Sequence, residues 1–210
     1  MPKRVLSHRQ VNNIMVSHSI WQGTEGKRGK LANFNNAVVL DYDFSGSTMA
    51  GVDLSGSDFS GVDFSAADMT GANLSMSVFD RTNFSRSKLV LCNLSGGKII
   101  DGSFDLANME AADLSGAIVT SSNFRGTNFQ DANLQGSLMP CSNFREASFA
   151  GAIFLNADLH GAFIQDADLS GADLSLADFS DVDLTRSDLR GVKLNRTNLS
   201  GATLTNAVFV

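Results

Sequence analysis

The sequence predicts an all-β solenoid of short repeats, closed at its N-terminal end by one helix. Three observations predict it. Every fifth residue from Phe34 to Phe209 is apolar, at 36 positions without a slip of register. The residue two places earlier is small, or Val or Thr, throughout the series, with Tyr42 the one departure. Phenylalanine also recurs at steps of 20, at Phe44, Phe64, Phe84, Phe104, Phe124 and Phe144. A period of five fits neither a helix (3.6) nor a flat strand (2). A short repeat sustained over such a length points to units that stack on their neighbours. If 20 residues make one coil, the six phenylalanines form a single interior ladder.

Each position of the repeat has a physical reason. The large apolar side chain fills the axis of a narrow coil, and the small residue two places before it points inward beside it. Between them stands mostly Asp or Asn, as at Asp53, Asp58, Asp63, Asp68 and Asn73. Ser, Thr and Gly follow, which suit corners that need local side-chain bonds or a tolerant backbone. The unit reads Ala167-Asp168-Leu169-Ser170-Gly171. Fourteen of the 15 phenylalanines occupy the central site, and Phe163, one place early, is expected to face outward.

This pattern, over residues 31–210, resembles the pentapeptide-repeat family. The resemblance implies a right-handed quadrilateral β-helix with one pentapeptide on each of four faces. Thirty-six repeats then make about nine coils, roughly 43 Å long at about 4.8 Å per strand spacing.

Residues 1–30 follow a different grammar and are expected to form the cap. Ser7 and Gln10 have capping-box spacing, with Leu6 and Val11 placed as a hydrophobic staple. Val11, Ile14, Met15, His18 and Trp21 recur at helical spacing. The spacing predicts a helix over 8–22, ended by Gly23 and followed by the basic turn Lys27, Arg28 and Lys30. The turn is expected to be solvated or to pair with Asp41 and Asp43. His18, on the apolar face beside Trp21, reads as a packed histidine, and Tyr42 as filler at the junction of cap and column. The run His18, Trp21, Gly23, Gly26, Lys27, Arg28 is similar to a leader found before many pentapeptide-repeat domains.

Composition narrows the function classes. The chain has two Pro and two Cys among 210 residues, and charged residues are scarce at 18%. Cys92 and Cys141 lie about two and a half coils apart, roughly 12 Å, beyond disulfide reach, so Cys92 reads as a buried thiol. No apolar stretch suggests a signal peptide or a membrane span, and a cytoplasmic location is the expectation. Asp41 and Asp43 open what looks like a calcium loop, but Val52 stands where its last acid belongs. His8, His18 and His160 lack metal-ligand spacing, no nucleophile elbow is present, and no Thr ladder of an ice-binding face occurs. No catalytic residue, metal or cofactor is expected, and the chain reads as non-enzymatic.

Charge is unevenly spread. Residues 1–30 carry six Lys/Arg against one Glu, 41–68 six Asp and no cation, and 156–210 eight Asp against four Lys/Arg. Three surfaces stand out. Asp158, Asp168, Asp173, Asp178, Asp183 and Asp188 form the best candidate acidic surface, winding around all four faces. Val38, Val78, Ile118 and Leu138 share one outward face, Ile153 and Phe163 sit outward on the two neighbouring faces, and Leu138, Ile153 and Phe163 lie within little more than one coil of each other as a candidate apolar patch. Leu204, Phe209 and Val210 end the column without a cap, which predicts a homodimer through the C-terminal coil.

The leading functional expectation is a rod that binds another protein, without direct nucleic-acid or membrane contact. The resemblance supplies an alternative, since quinolone-resistance proteins of this family bind DNA gyrase and topoisomerase IV as DNA mimics. Duplex DNA would carry about 25 charges over the length of the column, whereas the column carries a net −11. A secreted effector is a further alternative.

Overall fold

In the computed structural model residues 3–209 are described, and nearly all of them follow one rule of register. Parallel bridges join each outward repeat position to the residue 20 places on, from Asn33 with Asp53 to Asp188 with Val208. One coil therefore takes four pentapeptides. Backbone bonds repeat with the same step: Phe34 N–H donates to Asp53 O at 2.7 Å, Asn36 N–H to Ser55 O at 2.9 Å, and Asp58 N–H to Ala37 O at 2.9 Å.

Corners recur every five residues. The backbone is left-handed at each of these positions, from Asn36 (φ 51°) to Asn206 (φ 57°). Glycine holds some of them without steric cost, but Leu106 (φ 57°) and Leu176 (φ 62°) adopt the same geometry, which side chains disfavour. The outward Asp or Asn offsets this by accepting the N–H two residues on, as Asp53 does from Ser55 at 3.0 Å. That is the turn chemistry expected of these residues.

The N–H captured in this way is the one the ladder leaves unused. Pro140 occupies that position, following Leu138 and Met139. It has no N–H to offer, and Leu138, two residues earlier, has no side-chain oxygen to receive one, so the column tolerates proline there.

The regular strands of the column fall at outward residues without a side-chain acceptor, Val38, Val78, Lys98 and Ile118. β1 (Arg4–Val5) pairs with β2 (Ala37–Val38), and β3 (Val78–Asp80), β4 (Lys98–Ile100) and β5 (Ile118–Thr120) form a parallel three-stranded sheet. The β1–β2 pairing was not foreseen. It places Val5 beside Val38 and extends that face by one row beneath the first coil.

The interior is the expected ladder. Successive rings of Phe44, Phe64, Phe84, Phe104, Phe124 and Phe144 stack at centroid distances of 5.1, 5.1, 4.8, 4.7 and 5.0 Å. Phe129 and Phe149 stack on another face at 5.0 Å, and rings of adjacent faces meet edge to face. Several inward hydroxyls donate to carbonyls of the coil before, Ser77 Oγ to Leu54 O at 2.8 Å and Thr127 Oγ1 to Phe104 O at 2.7 Å, and others such as Ser87 donate within their own coil, while the buried Ser137 Oγ has no partner. Cys92 is buried as expected, and burial pushes its thiol pKa far up.

α1 (His8–Gly23) lies over the first coil with the predicted capping box between Ser7 and Gln10. His18 is 1% exposed. Its Nε2–H donates to Thr48 O at 2.9 Å while Nδ1 accepts from Ala32 N–H at 3.4 Å. Tyr42 fills the junction: its hydroxyl donates to Asn12 Oδ1 of the helix, and its ring lies 4.4 Å from that of Phe44. Two details of the cap differ from expectation. Gly23 is still helical, and the chain turns at Thr24, whose Oγ1 donates to Ile20 O at 2.7 Å, followed by left-handed Glu25 and Gly26. The basic turn is organised by Thr24, whose Oγ1 accepts from Arg28 N–H at 3.0 Å. Among the described residues no ion pair joins Lys27, Arg28 or Lys30 to Asp41 or Asp43.

Candidate interaction faces

The bridge register assigns every outward residue to a face. Asp158 sits directly beside Asp178 on one face, and Asp168 beside Asp188 on another. Asp173 and Asp183 lie on the remaining two, next to Lys193 and Phe163. The six carboxylates thus wind around the column, as the spacing predicted, and do not line one side.

Each of the six also has a local duty. Asp158 accepts from His160 N–H at 2.9 Å, Asp168 from Ser170 at 2.9 Å, Asp173 from Ser175 at 3.0 Å, Asp178 from Ser180 at 2.9 Å, Asp183 from Thr185 at 3.0 Å, and Asp188 from Arg190 at 3.0 Å. Side-chain hydrogen bonds from Ser175, Ser180 and Arg190, with these backbone bonds, hold the carboxyl groups of Asp173, Asp178 and Asp188 below their ordinary range. At Asp183 burial pushes the other way and is outweighed by bonds from Thr185 and Gln165. Lys193 Nζ lies 3.3 Å from Asp173, and Arg190 pairs with Asp188.

A second system runs along the faces. At several places where Asn follows Asp or Asn in a column, its amide donates to the earlier oxygen: Asn83 to Asp63 at 3.1 Å, Asn133 to Asp113 at 3.1 Å, Asn143 to Asn123 at 2.9 Å, and Asn198 to Asp178 at 3.0 Å. Asp158 beside Asp178, and Asp168 beside Asp188, have no such amide between them. Like charges stand one strand spacing apart there.

Leu138, Ile153 and Phe163 are exposed to similar degrees, 44%, 43% and 42%, on the three faces where the spacing placed them. Phe163 carries the guanidinium of Arg145 over its ring at 4.7 Å. Leu138 instead adjoins Ile118, itself 44% exposed. On this face Val78, Lys98, Ile118 and Leu138 form one outward row, and Asp80, Ile100, Thr120 and Pro140 form the row beside it. The second row was missed because only the site before the central residue was read for outward apolar groups. The site after it gives the other outward side chain, and Ile100 and Pro140 were visible there.

At the far end of the column Leu194, Leu204 and Phe209 are exposed, and Val210 lies outside the described residues. Among the described residues no three of His, Cys, Asp and Glu converge as metal ligands, and no helix is long and apolar enough to cross a membrane.

This geometry defines a loop-free repeat solenoid whose chemistry lies on flat outer faces. The family model for pentapeptide repeats matches eight copies, over residues 31–65, 57–96, 107–140, 127–166, 141–175 and 183–210, and the chain belongs to that family. Among solved structures, a trypsin-treated variant of QnrB1, a plasmid-mediated fluoroquinolone resistance protein, aligns with a TM-score of 0.57 at 21% identity, covering 79% of this chain and 89% of that one. HetL, a pentapeptide-repeat protein involved in heterocyst differentiation regulation in Nostoc, aligns at 0.37 and 21% identity, covering 97% and 94%. A pentapeptide-repeat protein of the Arabidopsis thaliana thylakoid lumen is 36% identical over 47% of this chain and 65% of that one, with a TM-score of 0.40. No curated protein matches the sequence.

Proposed function

We propose that this chain is a non-enzymatic rod that binds another protein through its flat faces. The observation that carries the reading is the unbroken register from Asn33 to Val208. It leaves no loop to shape a pocket and fixes every outward side chain on a rigid lattice. The reading includes a column of nine right-handed coils, a cytoplasmic setting, and a homodimer through Leu204, Phe209 and Val210. Capture from source cells by the immobilised chain tests it. A specific protein is expected, whose recovery falls about tenfold, the effect of roughly 1.4 kcal/mol, when one face is altered. Recovery indifferent to every face variant overturns the reading.

A second reading, mimicry of DNA toward a type II topoisomerase, is favoured by the Asp158–Asp178 and Asp168–Asp188 pairs. Charges placed side by side without an intervening amide sacrifice local stability, as an acidic partner-binding surface does. A gyrase supercoiling assay with and without a quinolone decides it. An unchanged reaction at large excess of the protein removes mimicry. An effect that disappears when Asp173, Asp178 and Asp183 are changed to Asn supports it.

A further inference from the structure

We infer that the face carrying Val78, Ile118 and Leu138 docks an amphipathic α-helix of another protein, laid along the column and carrying cationic residues at both ends. This rests on the reading of the chain as a protein-binding rod and names the chemistry of one partner.

The face differs from the other three. It holds β3, β4 and β5, the regular strands of the column. Its two outward rows place Val78, Ile118 and Leu138 beside Ile100 and Pro140. The corner along one side is formed by Gly96, Gly116 and Gly136. A Cβ built on Gly116 or Gly136 meets nothing within 4 Å, whereas the exposed Met76 lies across Gly96, so the edge is low and open along the Ile118 and Leu138 rows.

Dimensions select a helix. Successive rows rise by about 4.8 Å, and the turns of an α-helix by about 5.4 Å. From Val78 to Leu138 is three rows, about 14 Å, against about 16 Å for three helical turns. One side chain per turn therefore stays opposite one row for the full length of the patch. The stripe would lie along the two outward rows, as apolar faces receive amphipathic helices elsewhere.

Charge selects the ends. In the same column Asp58 precedes Val78, and Asp158 with Asp178 follows Leu138. Asp58 and Asp158 are five rows apart, about 24 Å, the length of roughly 16 helical residues. Lys98, exposed between Val78 and Ile118, calls for one acid in the middle of the stripe. A second copy of this chain fits poorly. A two-fold axis that sets Val78 on Leu138 and Lys98 on Ile118 also sets each copy's Asp58 against the other copy's Asp158, a like-charge contact at both ends.

The test uses the full chain and a fluorescent synthetic peptide. The peptide has an apolar stripe at helical spacing, one Glu at its centre, and Lys pairs about 24 Å apart, or some 16 residues. A control peptide carries Glu pairs in place of Lys. The fold-safe variant is Ile118→Asp, because Asp is the commonest residue at this repeat position and forms the standard turn there. Leu138→Asn serves as a second. Anisotropy titration is expected to show binding of the Lys peptide, weakened about tenfold by either substitution and about tenfold by the Glu ends. Asp113→Asn, on a different face, is expected to leave binding unchanged. Binding equal for the two peptides, binding indifferent to Ile118→Asp, or no binding at all overturns the proposal. So does sedimentation showing that Ile118→Asp dissociates a dimer, which makes the occupant a second copy. If peptide binding fails while capture of a cellular protein still depends on another face, the rod reading stands without this site.

Discussion

Phe104→Leu is the sharpest test of the aromatic interior. Phe104 is fully buried, with Phe84 stacked on one side at 4.8 Å and Phe124 on the other at 4.7 Å. Leucine keeps most of the apolar surface but removes both ring pairs. Each pair contributes about 0.5–1.5 kcal/mol beyond its buried area. A residual void of about 25 Å³ adds roughly 0.6 kcal/mol at ~24 cal/mol per Å³. The expected cost is therefore about 1.5–3.5 kcal/mol. Urea denaturation followed by far-UV circular dichroism reads it, and with a slope of about 2.5 kcal/mol per M the midpoint falls by roughly 1 M. A double-mutant cycle makes the reasoning specific. Phe84→Leu with Phe104→Leu is expected to show coupling of about 0.5–1.5 kcal/mol. Phe44→Leu with Phe144→Leu, five coils apart, is expected to add within about 0.5 kcal/mol. A single-variant cost well under about 1 kcal/mol, or no coupling between neighbours, refutes the account of the core as stacked rings.

The other predictions concern the cap, the corners and the carboxylates. Ser7→Ala removes the capping box and is expected to cost about 1 kcal/mol, seen as faster hydrogen exchange in α1 before the column is affected. His18→Leu leaves Ala32 N–H without its partner and Thr48 O with only the longer bond from Gln22 Nε2 at 3.4 Å, and is expected to destabilise by about 1–3 kcal/mol in the same denaturation assay. Gly126→Ala puts a Cβ 2.8 Å from Leu106 Cδ2 at a φ of +64°. A loss of about 1 kcal/mol is expected, partly recovered by Leu106→Ala, and no recovery would show that the backbone alone is responsible. Asp173, Asp178 and Asp188 titrate below their ordinary range in the folded chain. The unfolded chain therefore binds protons first as pH falls. Their contribution is full above the ordinary carboxylate range and is lost progressively below it, so thermal midpoints are expected to be flat near neutrality and to drop under acid. A midpoint that rises on acidification contradicts this.

Most of the fold was legible because its determinants are local and repeated. The spacing of Phe44, Phe64 and Phe84 alone gives the length of a coil, since residues that stack must recur once per coil. The capping box of α1 was readable for the same reason, as it needs only Ser7 and Gln10. What escaped depended on contacts distant in sequence. The pairing of Arg4–Val5 with Ala37–Val38 has no repeat signal, because Arg4 and Val5 precede the periodic region. The end of α1 shifted past Gly23 because the Thr24 side chain completes the turn, a contribution that helix-ending glycine rules do not weigh. For the candidate surfaces, the sequence placed the acidic residues on their faces correctly. It likewise placed Ile153 and Phe163 on the two faces that flank the face of Leu138, where the register puts them.

The register of 20 also governs how such a chain can change length. Inserting one pentapeptide anywhere in the column preserves core composition, corner chemistry and the Asp or Asn turn. It nevertheless rotates everything downstream by one face. An insertion between Ile118 and Leu138 would turn Leu138, Asp158 and Asp178 away from Val78 while leaving every local rule intact. Only steps of four pentapeptides keep two distant rows facing the same partner. Length variants among related columns are therefore expected to differ by whole coils wherever both ends of one face are read together, and by single pentapeptides where they are not.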